Sequence, residues 1–295
     1  MLTSVNEHNA KPNKLSFDYY KNEIIIIIAT IIVVLVMRSF VFQAYRIPTG
    51  SMENTLLPGD YILVNKLAYC IQTPVLFEGT RWQINSHVIS RYGAPKLGDI
   101  AVFRFPRTFG AIDDEEGLNY IKRIMGTPGD TIVITNKLLS VNDKLIPLPE
   151  TGFISENVKS PLDVSERIYP TGQPWNEDQY GPIVVPKQGM VIPLNYKMFK
   201  LYAELIKRDM GTPNVEMREK KVYINGELTT EYTVKQNYYF ALGDNRDDSM
   251  DSRFWGFVPE DHLIGSAGIV YFSRDPYDEE FFSSIRWERV LKSIE

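Results

Sequence analysis

Apolar and polar residues divide this chain into unequal parts. Residues 1–22 are polar. Residues 24–37 carry no charge, and Thr30 is their only polar member. Extended past Arg38 and Ser39 to Phe42, the apolar segment reaches 19 residues, close to the roughly 20 that cross a bilayer as a helix. Arg38 lies near its end, where a long cationic side chain reaches the interface. The stretch is long for the h-region of a cleaved signal, and no small-x-small site follows it. An uncleaved anchor over residues 23–43 is therefore expected, a buried core helix being the other reading. Lys11, Lys14 and Lys21 precede the segment, whereas only Arg46 follows within the next 20 residues. The positive-inside rule then places the N-terminus in the cytoplasm and the body outside. Residues 263–272 are the next most apolar, and their length suits a buried strand.

From residue 45 onward the pattern is strand-like. Asp60-Tyr61-Ile62-Leu63-Val64, residues 99–105 and Thr131-Ile132-Val133-Ile134 are short runs rich in β-branched and aromatic residues. Residues 221–228 read as a hairpin, because Asn225-Gly226 supports the positive φ angles of a two-residue turn. Val141-Asn142-Asp143-Lys144-Leu145 is a weaker version. Residues 150–195 carry many Pro, Gly, Ser and Asn and read as loops. Met198, Tyr202, Leu205 and Ile206 recur at helical spacing over residues 196–210, and Gly211 follows. The whole is mainly β, with a loop-rich insertion around one amphipathic helix.

Composition narrows the function. A length of 295 residues with 44% apolar content can bury a real core. A formal net charge of -5 argues against a nucleic-acid partner. Cys70 is the only cysteine, so neither an intramolecular disulfide nor a cysteine metal cluster can form. The histidines are His8, His87 and His262. His8 precedes the anchor, so a histidine triad would need His87 or His262.

Ser51 lies between Gly50 and Met52, nine residues after Phe42. It reads either as a nucleophile at a bilayer surface or as part of a polar turn after a helix. Lys122 stands among Tyr120, Ile121 and Ile124. A lysine buried among apolar groups loses its hydration and its pKa falls toward neutrality; the neutral amine can then take a proton from a serine hydroxyl. The alternative is a surface lysine with its head in water. No Ser-x-x-Lys occurs, so such a pair must be assembled by the fold. A third segment, residues 243–256, is dense in charge. It reads as a solvated loop, or as a brace in which Asp251 and Arg253 pair and hold Ser249 against a neighbouring amine. A calcium loop does not fit, because Arg246 stands where an oxygen ligand is needed.

With the block Gly59-Asp60-Tyr61-Ile62-Leu63-Val64-Asn65-Lys66, these segments and the anchor occur in the order found in bacterial type I signal peptidases (leader peptidases), and the chain resembles that family. The resemblance implies roles position by position. Ser51 matches the nucleophile and Lys122 the general base. Thr49 matches the residue whose hydroxyl completes the oxyanion hole with the Ser51 N–H. Ser249 matches the serine that orients the lysine, and Asp251 with Arg253 the ion pair bracing the site. Tyr45, Ile47, Leu56, Tyr120 and Ile121 fall where the family lines its small S1 and S3 pockets, and Met52 where its surface meets the membrane. Asn54 replaces a frequent proline, which is expected to loosen the turn after Ser51. Asn119 stands where an acidic residue is common, and threonine at 49 where serine is common.

The resemblance further implies a membrane-anchored antiparallel β-sheet catalytic domain over residues 44–130 and 243–295, with an inserted α+β cap over 131–242. The expected activity is removal of signal peptides from secretory preproteins at the outer face of the bacterial inner membrane, with lipid and the export machinery as partners and no metal or organic cofactor. Other classes remain as alternatives. A self-cleaving repressor shares the Ser–Lys chemistry but needs a DNA-binding module and a cytoplasmic body. An inactive signal-peptide-binding protein would not need Ser51 and Lys122. The aromatics around Phe281, Phe282 and Trp287 either meet lipid headgroups or pack against the body.

Overall fold

The structure is a computed structural model that describes residues 17–74, 87–106, 118–280 and 282–294. His8, Lys11, Lys14 and Phe281 lie outside the described residues. Helix α1 (Phe17–Val36) carries the isoleucine run and passes into a π-helical turn, Met37–Val41. The candidate span, Tyr20–Val41, has 22 residues and none of it is buried inside the protein. At ~1.5 Å per residue it reaches about 33 Å, enough to cross a hydrocarbon core. A core helix would be covered by its own protein, so that reading fails. The anchor ends before residue 43, because Phe42 already pairs with Asn65 in a strand ladder.

The body follows as short strands. They are β1 (Phe42–Arg46), β2 (Asp60–Asn65), β3 (Cys70–Gln72), β4 (Val88–Arg91), β5 (Ile100–Arg104) and β6 (Asn119–Gly126). Then come β7 (Thr131–Thr135), β8 (Leu138–Val141), β9 (Lys144–Leu145), β10 (Gln179–Val184) and β11 (Val191–Pro193). Helix α2 (Tyr196–Met210) precedes β12 (Val215–Arg218), β13 (Lys221–Ile224), β14 (Glu227–Thr229) and β15 (Glu231–Thr233). The chain ends with β16 (Tyr238–Leu242), the short helix α3 (Ser252–Trp255), β17 (Val258–Pro259), β18 (Leu263–Ser273) and β19 (Lys292–Ser293).

The fold is mainly β. One antiparallel sheet runs in the order β1-β2-β18-β5-β6-β16-β17, with β19 beside β18. Both faces of its centre are buried, as the period of two requires. On β5, Ile100 and Val102 face a cluster with Ile47, Met52, Leu56, Ile62 and Val64, while Ala101 and Phe103 face one with Tyr239, Trp255 and Leu263. On β16, Tyr239 and Ala241 join the second cluster, whereas Tyr238, Phe240 and Leu242 turn toward a third core.

That third core belongs to residues 131–233, which form three smaller sheets and α2. Helix α2 is capped by Asn195, whose side chain accepts from the Met198 N–H at 3.0 Å, and it stops at Gly211, φ 61°. It buries Leu201, Tyr202, Leu205 and Ile206. Both asparagine turns form as the sequence requires, with positive φ at Asn142 and Asp143 and at Asn225 and Gly226. Two features depart from expectation. Strand β16, placed by sequence within 131–242, pairs with β6 in the main sheet. The stretch 150–195, read as loops, contains β10 and β11. Gly181-Pro182 hides β10, because proline cannot donate to a ladder; the register shifts between Tyr180 and Ile183 to pass it.

Candidate active site

Ser51 sits on a turn between β1 and β2, which pair in register. The Ile47 N–H donates to the Asp60 carbonyl at 2.8 Å and the Gly59 N–H to the Ile47 carbonyl at 2.9 Å, closing the loop at its base. Gly59 is required there: its φ is 90°, and a Cβ would lie 1.9 Å from the Arg274 carbonyl oxygen. Within the loop, Glu53 N–H donates to Gly50, and Thr55 and Leu56 N–H both donate to Met52, at 2.8, 3.1 and 2.7 Å. Asn54 takes a left-handed φ of 71°. Proline, locked near −65°, has no access to that conformation. The asparagine therefore does not loosen this turn; it suits the left-handed φ that the turn adopts there.

Lys122, in the middle of β6, has its Nζ 2.5 Å from Ser51 Oγ. Its side chain is only 3% exposed, and among the described residues no carboxylate contacts the amine. Burial pushes its pKa down to about 8, against the weaker upward pull of Asp251 and Asp244. At the observed distance the lone pair of the neutral amine can accept the serine proton. A cavity of 610 Å³ opens over the pair, lined by Thr49, Ser51, Tyr120, Lys122 and Met250 among others. Among the described residues neither the Ser51 N–H nor the Thr49 hydroxyl has a hydrogen-bond acceptor, so both remain available there.

The loop after β16 holds this pair in place. Asn245 N–H donates to the Ser51 carbonyl at 3.2 Å, and its side-chain amide to the Gly50 carbonyl at 3.2 Å. Gly243 must lack a side chain, since a Cβ would fall 2.5 Å from the Ser51 carbonyl oxygen and 2.2 Å from Ser249 Oγ. Asp251 receives two bonds from the Arg253 guanidinium, both at 2.9 Å, with both residues buried. Burial alone would raise the Asp251 pKa, but the guanidinium holds the carboxyl below its ordinary value. Asp244 is gripped by Arg123 at 2.9 and 2.8 Å and also accepts from Thr55 Oγ1 at 2.6 Å.

Comparison with known proteins places the chain in a family. The family model for signal peptidase, peptidase S26, matches residues 20–188 and 227–272. The chain belongs to this signal peptidase family. Signal peptidase I of Pseudomonas aeruginosa is 32% identical to it over 82% of this chain and 68% of that protein. Signal peptidase I of Buchnera aphidicola subsp. Baizongia pistaciae is 29% identical over 98% of this chain and 92% of its own length. A solved signal peptidase I from Enterococcus faecalis is 22% identical, covering 59% of this chain and 96% of that one, with a TM-score of 0.27 that carries no argument about fold.

Set beside the expectations for a signal peptidase, the structure brings Ser51 and Lys122 together and pairs Asp251 with Arg253. Ile47, Tyr120 and Ile121 line the cavity. Leu56 does not; it is fully buried behind the wall, and Tyr45 packs against the same cluster. Met52 is corrected more sharply. It is 1% exposed and sits in the core with Ile47 and Leu56, so it does not face a membrane. A large apolar side chain next to the nucleophile pins the turn by pointing inward. Ser249 lies beside the site, yet its buried Oγ has no partner and does not reach Lys122 in this structure. His262 directs Nδ1 to the Arg104 carbonyl at 3.1 Å, while the partner of Ser51 Oγ is Lys122.

Sequence reading missed Asp244, Arg123, Asn245 and Arg289. Arg289 donates to both Asp60 oxygens and, at 2.9 Å, to the Thr55 carbonyl, tying a distant segment to the serine turn. The available signal for Arg123 and Asp244 was a charge inside each of two otherwise strand-like or glycine-flanked blocks. Arg289 gave none, since Trp287-Glu288-Arg289 looks like any solvated turn.

Proposed function

We propose that this chain is a membrane-anchored serine endopeptidase that removes signal peptides from preproteins with a Ser–Lys dyad. The observation that carries the reading is the 2.5 Å approach of a buried, carboxylate-free lysine amine to Ser51 Oγ. Neutral Lys122 takes the Ser51 proton as Oγ attacks the scissile carbonyl carbon. The oxyanion accepts from the Ser51 N–H and the Thr49 hydroxyl, one such donor being worth about 10²–10³ in rate. As the intermediate collapses, the C–N bond breaks and the Lys122 ammonium protonates the departing amine of the mature chain. Lys122 then takes a proton from water, which attacks the acyl ester and regenerates Ser51.

The signal peptide adds as a strand near residues 45–49 and Tyr120. Ile47 and Ile121 wall shallow subsites that admit alanine-sized side chains, so cleavage follows small residues. Ser249 bonds the lysine once substrate displaces solvent from the cavity, and Asp251 with Arg253 braces it. Residues 131–233 act as a cap. The N-terminus lies in the cytoplasm, a reading supported by the lysines before the anchor, and the body works at the outer face beside the export machinery. Exposed Phe282 and Trp287 are suited to meet headgroups.

The test is cleavage of a preprotein in liposomes by wild type and Lys122→Ala across pH. Cleavage by wild type alone, rising through about pH 8, is expected. Equal cleavage by both removes Lys122 from the mechanism. Protease digestion of sealed vesicles reads the orientation.

A further inference from the structure

A second cavity, of 760 Å³, lies against the loop that carries Ser249. Residues 246–250 form one wall, and residues 155–178 of the insertion another. Asp248 and Met250 line both this cavity and the one over Ser51. The two spaces therefore adjoin, close enough for an extended peptide laid across Ser51, advancing ~3.3 Å per residue, to reach from one into the other.

The charges around the second cavity are unequally satisfied. Lys137 pairs with Asp247 at 2.5 Å and with Asp178 at 3.9 Å, and Lys159 pairs with Glu177 at 2.8 Å. Asp163 accepts from the Ser160 N–H at 3.1 Å, and Asp248 is exposed on the shared rim. Arg167 packs its guanidinium over Phe254. Arg246 differs from all of these. It is 6% exposed, and among the described residues its Nε has no hydrogen-bond partner and no carboxylate forms an ion pair with it. Burial and the neighbouring Arg253 cation depress its pKa to about 10, against a weaker upward pull from Asp251 and Asp244, which leaves it charged at neutral pH; those two carboxylates are already bonded to Arg253 and Arg123. Water can satisfy an orphaned N–H but brings no counter-charge. Among the described residues the lining's other cations each have a partner, so Arg246 is the one cation of this wall left for an incoming acidic group, although the wall as a whole carries five carboxylates against four cations. The lining is also partly apolar, with Val158 and Met250 exposed and Phe254 half-buried. A free inorganic ion would leave that surface uncovered, whereas a polypeptide supplies both backbone and side chain.

We propose that this cavity receives the first residues of the mature chain, beyond the scissile bond, and that Arg246 selects an acidic side chain there. The inference rests on the Ser51–Lys122 reading. Its test uses the full-length protein in detergent and a preprotein whose first five mature residues are neutral, with Asp, Asn or Lys placed at each position in turn. In the wild type, Asp at one or two adjacent positions is expected to exceed Asn in kcat/KM by about tenfold, the scale of one charge-assisted hydrogen bond, with Lys slower than Asn. In Arg246→Gln the Asp/Asn ratio at those positions should fall toward one; in Arg167→Gln, at the rim, it should fall less. If the Arg246 variant does not fold, the wild-type series decides alone. Cleavage by the wild type without charge preference at any position overturns the proposal, as does an undiminished ratio in a folded Arg246→Gln. Failure to cleave any of the substrates instead overturns the Ser–Lys reading.

Discussion

Lys122 and the guanidinium pairs around it are buried to a similar depth, yet their electrostatics are opposite. Arg253 and Arg123 each meet a carboxylate through two bonds, and Arg289 does the same with Asp60. Desolvation is offset by contact, so these ions remain ions. Lys122 has the same loss of water without a carboxylate against it, and its pKa drops to about 8. The protein thus uses one physical cost in two ways. Paired, buried charge makes a rigid frame; unpaired, it makes an amine that sheds its proton near pH 8 and so can serve as a base.

The contrast can be broken at either side. Ser51→Ala, or Lys122→Arg, which keeps the charge but cannot shed a proton, is expected to reduce kcat/KM on a preprotein by about 10⁴-fold or more, with anchoring and folding retained. Asp244→Ala attacks the frame instead. It removes the carboxylate that receives two bonds from the buried Arg123 guanidinium, and denaturant unfolding in detergent should show a loss of about 3–5 kcal/mol. A subtler change sharpens the comparison. Asp251 raises the Lys122 pKa, so Asp251→Asn should move the alkaline rise of kcat/KM to lower pH, whatever it does to the maximum rate. A shift to higher pH would contradict the assignment of Lys122 as the base. Smallest is Asn54→Ala, expected to cost about 1 kcal/mol in the same unfolding assay because alanine lacks the short polar side chain that eases asparagine into a φ of 71°, while Asn54→Gly should be nearly neutral.

Much of the fold could be read in one dimension because its signals are local. The apolar run before Phe42, the capped helix α2 and the two asparagine turns depend only on neighbours in the chain. So does the Ser51 segment, whose ordered blocks carried the resemblance that pointed to Lys122. What escaped was set at long range. Met52 looked like a surface residue because nothing in Gly50-Ser51-Met52 tells which way alternate side chains turn on an irregular loop. Leu56 was taken for a pocket wall when one further layer of packing puts it behind that wall. Asp244 and Arg123 are 121 residues apart, so their partnership was not visible until the strands paired.

Arg289 gives this long-range character a temporal meaning. The serine turn is chemically complete early in synthesis, but the guanidinium that fastens the Thr55 carbonyl and Asp60 belongs to a segment 234 residues later than Thr55. Until that segment has been made and has docked, the nascent chain holds its nucleophile on an unfastened hinge. The bonds that fasten the serine turn at Thr55 and Asp60 are therefore among the last that the growing chain is able to form.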